Sequence, residues 1–168
     1  LLCMPYSGDH VALERHWPFW VQALYKLLQV TDFRLVVAGQ GWKLPADLVG
    51  NPRVTDLIGQ TRTMADIYSL ASRCDGVVTT CGNLAVFAAA TEKPCLVAGH
   101  DRLKEGEFFH RLLRCPTSRV MLHHEPLERF YNLLQGLFPK KAEGRRTWTP
   151  AEFDMPPIRL CVPPGIGD

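Results

Sequence analysis

The chain has 168 residues, enough for one domain with a proper core, and its 46% hydrophobic and 21% charged residues are an ordinary globular composition. A formal net charge of +2 gives no basis for a nucleic-acid surface, so no nucleic-acid partner is expected. No apolar run approaches the roughly 20 residues of a membrane span, and no basic-then-apolar signal segment opens the chain.

The chain starts without Met in an apolar run, Leu1 to Pro5, which reads as a core strand and suggests a piece of something longer. Tyr6-Ser7-Gly8-Asp9-His10 forms a glycine loop at that strand's carboxyl end. Trp17-Pro18 opens a helix to about Gln29, with Phe19, Trp20, Ala23, Leu24, Leu27 and Leu28 on a broad apolar face. Aromatics at this spacing read as core before they read as a ligand platform. Phe33 to Ala38 is the second strand, ending at Gly39-Gln40-Gly41-Trp42, where two glycines give a ligand access to backbone. Trp42 could stack on a base or cap the loop. Lys43 to Arg53 carries Pro45, Gly50 and Pro52 and reads as a loop with room for one helical turn.

Residues 54 to 99 are the most informative stretch. Val54 to Ile58 is a short strand stopped by Gly59. Thr61 or Thr63 caps a helix whose apolar positions Met64, Ile67, Tyr68 and Ala71 fall at helical spacing, with Asp66 as a first-turn acid. Gly76 to Thr80 is a β-branched run, buried on both faces. Cys81-Gly82-Asn83 then turns the chain into an Ala-rich helix, Leu84 to Ala90, ended by Lys93-Pro94, and Cys95 to Ala98 is the next strand. Two successive βα units imply parallel strands with right-handed crossovers. In such a sheet function is expected at the carboxyl ends of the strands, where helix N-termini suit an anion such as a diphosphate. Thr79-Thr80-Cys81-Gly82-Asn83 sits at such a point, and it reads equally well as a plain tight βα turn.

Glu105 to Arg114 reads as a helix, Arg119 to Leu122 as a strand, and Pro126 to Phe138 as a helix with Leu127, Phe130, Tyr131 and Leu134 on one face. Lys140 to Arg146 is a solvated polar run. After Pro150, Pro156 and Pro157, Ile158 to Val162 reads as a fresh strand entering the glycine loop Pro163 to Asp168. The expected organisation is a domain over 1–138, a linker over 139–157, and over 158–168 the opening strand and glycine loop of a further, incomplete domain.

The six cysteines are Cys3, Cys74, Cys81, Cys95, Cys115 and Cys161; none forms a CxxC pair, and they read as reduced core residues of a cytoplasmic protein. Neither Cys nor His has metal-ligand spacing, and His123-His124-Glu125 reads as a polar loop before a helix.

The order Gly59-Gln60-Thr61-Arg62-Thr63-Met64-Ala65-Asp66-Ile67, then Thr80-Cys81-Gly82, Ala88-Ala89-Ala90 and Lys93-Pro94-Cys95-Leu96-Val97-Ala98-Gly99, resembles the C-terminal half of the two-domain GT-B glycosyltransferases, most closely glycosyltransferase family 9, the heptosyltransferase-like enzymes. The likeness extends more faintly over about residues 1–137 and rests on order and spacing. This chain departs from the family at its polar anchors: Thr80 stands where an acid is usual, Ala85 where a histidine is frequent, and no acid lies between Thr80 and Thr91.

The resemblance implies an α/β, Rossmann-like three-layer domain with a mostly parallel sheet of about six strands, one half of a GT-B fold. It implies the donor nucleotide-sugar-binding half of an inverting, metal-independent glycosyltransferase, with no cofactor. Its partners would be a nucleotide-diphosphate sugar and a complementary N-terminal half that holds the general base, so the isolated chain is not expected to turn over. Ser7, Gly8 and Arg15 would meet the diphosphate, although Arg15 reads equally as a surface arginine near a helix start. Gln40, Trp42 and Ile58 would line the base and ribose pocket, and Thr80, Cys81, Gly82 and Asn83 would supply N–H and hydroxyl donors. A second expectation is a degenerate, non-catalytic module with a structural or partner-binding role, its pocket mouth closed by Phe87 or Trp42. A third is a nucleotide-sugar epimerase of GT-B type or another Rossmann-like enzyme. A dinucleotide oxidoreductase is disfavoured because the first loop lacks G-x-G-x-x-G.

Overall fold

The computed structural model describes residues 1–5, 17–80, 82–99, 114–122 and 124–138. Six strands alternate with helices in it: β1 (Leu2–Met4), α1 (Trp20–Val30), β2 (Leu35–Gly39), α2 (Ala46–Val49), β3 (Val54–Ile58), α3 (Met64–Arg73), β4 (Val77–Thr79), α4 (Asn83–Ala90), β5 (Cys95–Gly99), β6 (Ser118–Leu122) and α5 (Leu127–Leu137). All five strand pairings are parallel, in the order β3-β2-β1-β4-β5-β6. Helices cover both faces, so the domain is a Rossmann-like three-layer α/β fold, as the sequence led us to expect.

The strands are short apolar runs because both faces of the sheet are covered. Every residue of β4 and β5 is buried, whereas the edge strand β3 is only half-buried. Alternation along each strand then feeds two cores. Cys3, Leu35, Val37, Val78, Leu96 and Met121 pack with α1 and α5 on one face, and Leu2, Ala38, Val77 and Val97 pack with α3 and α4 on the other. The buried face of α4 is Leu84, Ala85 and Ala88, mostly small side chains.

One element boundary differs from the sequence reading for a local reason, and two open readings are resolved. The first helix begins at Trp20 rather than Trp17, because the Trp17 indole is drawn into the core. There it stacks on Phe130 at 5.1 Å and donates its Nε1–H to the Glu125 carbonyl at 3.0 Å. The room for one turn after Lys43 is used by α2. Of the two candidate caps of α3, Thr63 is the one used, in a capping box with Asp66. The helix expected over 105–114 lies outside the described residues except for Arg114, and the segments 139–157 and 158–168 lie outside them altogether.

Gly76 marks a tight spot at the entry to β4. A Cβ there would meet Phe138 Cζ at 2.3 Å and the Pro94 carbonyl oxygen at 2.9 Å. The phenyl ring can move, but the carbonyl belongs to the backbone leading into β5. Gly76→Ala is therefore expected to cost about 1–3 kcal/mol in urea unfolding, and Phe138→Leu to relieve it only in part. An unchanged midpoint would show that the strand entry yields without strain.

Candidate functional site

The strand order reverses direction between β1 and β4. The chain steps outward from β1 to β2 and β3, crosses back under α3, and then builds β4, β5 and β6 on the other side. At such a switch point adjacent loops leave on opposite faces and open a crevice at the carboxyl edge. The register aligns that edge: Met4 lies opposite Thr79, and Gly39 opposite Ile58. Three strand spacings of about 4.8 Å separate β3 from β4, roughly 14 Å in all, which suits an elongated ligand lying across the strand ends.

One wall of the crevice is the turn from β4 into α4. Thr79 is fixed by its hydroxyl, which donates to the Met4 carbonyl at 3.2 Å, and the Thr80 N–H reaches the same carbonyl at 3.3 Å. Gly82 is the N-cap of α4, and its carbonyl accepts from Ala85 and Val86 at 3.0 and 3.3 Å. No side chain caps this helix. Gly82 has an extended backbone (φ 168°), and among the described residues no atom lies within 4 Å of where a Cβ would stand.

α3 enters the same edge differently. Asp66 accepts from the backbone N–H of Thr63 at 2.8 Å and of Arg62 at 3.0 Å, while Thr63 Oγ1 accepts from the Asp66 N–H at 3.2 Å. These bonds, the Thr63 backbone one foremost, hold the Asp66 carboxyl below its ordinary 3.8. The head of α3 already holds its own anion, and that of α4 does not. A depressed carboxyl adds stability above its unfolded pKa and gives it up as pH falls through the folded one. Asp66→Asn is accordingly expected to flatten part of the stability loss below about pH 4, read by urea midpoints across pH. An unaltered acid limb would count against the capping box.

The other sequence-predicted residues fall as follows. Gln40 is exposed just past β2 and donates Nε2–H to the Thr61 carbonyl at 3.3 Å, tying the β3–α3 loop across the end of β2. Ile58 is half-buried at the end of β3, its N–H donated to Asp56 Oδ1 at 2.9 Å. Gly39 and Gly59, joined by a 2.8 Å backbone bond from the Gly59 N–H to the Gly39 carbonyl, both have positive φ, a conformation that favours glycine there. Trp42 is half-buried and packs against the α1-side core, closer to a loop cap than to an open stacking face. Asn83 is exposed as the first residue of α4. Ser7, Gly8, Arg15 and Cys81 lie outside the described residues. Phe87, expected as a mouth-closing side chain, instead stacks on Tyr68 at 4.4 Å in the seam between α3 and α4.

Sequence reading missed the Gln40–Thr61 tie, which joins two loops twenty-one residues apart and leaves no local pattern. A cavity of about 380 Å³ lies at the opposite, amino-terminal edge, lined by Arg34, Arg73, Asp32, Asp75, Cys74 and Leu1 among others. Its two arginines are offset by two aspartates, and it faces away from the switch point. We therefore place the candidate site at the carboxyl edge.

Cysteine chemistry adds no rival. Cys3, Cys74 and Cys115 carry free thiols. Burial pushes the Cys3 thiol up to about 12 and also raises Cys74. Cys115 is the exception: burial pushes it up, but hydrogen bonds from Thr117 and Ser118 leave it below its ordinary value. Among the described residues no three His, Cys, Asp or Glu side chains are grouped to hold a metal ion, and no helix is long and apolar enough to cross a membrane.

No family model matches this chain, and comparison with curated proteins and with solved structures gives no significant match. The architecture itself, a six-stranded parallel sheet between two helical layers, is that of a Rossmann-like α/β domain.

Proposed function

We propose that this domain binds the diphosphate of a nucleotide-sugar, as the donor half of an inverting, metal-independent glycosyltransferase of GT-B type. One observation carries the reading: the N-terminus of α4, with no side-chain cap and no described atom within 4 Å of a Cβ at Gly82, stands at the β1/β4 switch point. Helix N–H groups and the partial positive charge of the helix end favour an anion there. The Thr80 hydroxyl and the backbone of Gly82 and Asn83 would hold phosphate oxygens. The ends of β2 and β3, at Gln40 and Ile58, would accept the base and ribose. Preorganised donors of this kind stabilise a departing nucleoside diphosphate as charge develops on it. The general base is assigned to a complementary half, so this chain alone is not expected to transfer sugar.

A second reading is a non-catalytic module. The observation favouring it is that α4, from Asn83 to Ala90, carries no ionisable side chain at all. Calorimetric titration of the folded chain with UDP, ADP, GDP and CMP separates the two. Saturable binding of one nucleotide supports the donor half. Silence at millimolar nucleotide supports the module.

A further inference from the structure

We draw no further inference here: the strongest candidate, the side-chain cluster of Cys115, Thr117 and Ser118 at the entry to β6, rests on a lone cysteine whose hydrogen bonding lies within its own turn, and no second group among the described residues points to a ligand there.

Discussion

Phe130→Ala is expected to lower the unfolding free energy by about 4 kcal/mol, the largest stability effect of any substitution considered. Phe130 is fully buried on α5 and stacks on Trp17 at 5.1 Å, with Trp20 at 6.1 Å and Tyr131 at 5.4 Å edge-on. Removing the ring leaves a cavity walled by stiff aromatics that cannot collapse into it. Two elements far apart in sequence would lose their contact at once: the entry to α1, and α5, which is also tied to α1 by Tyr131 donating to the Ala23 carbonyl at 3.2 Å. A midpoint drop of roughly 10 °C is the corresponding thermal readout. Trp17→Phe makes the useful contrast. It gives up the hydrogen bond to Glu125, a net loss of about 1 kcal/mol, but keeps an aromatic ring against Phe130. If Phe130→Ala cost less than Trp17→Phe, the aromatic cluster would not be what joins α5 to the sheet.

Gly82→Trp is expected to weaken nucleotide binding by about 100-fold, or roughly 2.8 kcal/mol, with stability unchanged within about 0.5 kcal/mol. Both halves of the expectation come from one place. The backbone of Gly82 is extended, a conformation any residue adopts, and among the described residues nothing lies within 4 Å of a Cβ there. A side chain can therefore start from Gly82 without backbone strain, and an indole there is expected to occupy the space in front of α4 that the anion needs. Gly82→Ala should have a much smaller effect, because a methyl group fills little of that space. Calorimetry reads the affinity and urea unfolding reads the stability. Tight binding by Gly82→Trp would move the ligand away from α4, while a large stability loss would show that the space is not open.

The stretch from Val54 to Gly99 was legible because its signals are local. Short β-branched runs bounded by glycine, a threonine before a helical apolar pattern, and an Ala-rich run ended by Lys93-Pro94 each fix an element within a dozen residues. The five strand-forming segments after β1 were found at or within two residues of their observed bounds. The start of α1 was misplaced because Trp17 looks like a helix-opening aromatic in sequence, and only its contact with Phe130 removes it from the helix. Thr61 and Thr63 were equal candidates as caps until the loop was pinned. The Gln40 bond holds Thr61 down by its carbonyl and leaves Thr63 to cap.

The site divides in the same way. Thr80, Gly82 and Asn83 could be singled out from the sequence because a glycine between a buried strand and a helix is itself a chemical statement about backbone access. The Gln40–Thr61 tie could not, because it joins loops twenty-one residues apart. Nor could the occupied ring of Phe87, whose partner Tyr68 lies on another element.

By itself the sequence determined the class of fold, the parallel sense of its strands and the carboxyl-edge location of the candidate turn. Periodicity, turn residues and the right-handed crossover rule act over short distances and leave few alternatives. The tertiary structure alone decided the strand order β3-β2-β1-β4-β5-β6, and with it the position of the switch point between β1 and β4. Strand order is set by which apolar faces fit together across the whole sheet, a collective property that no single segment encodes.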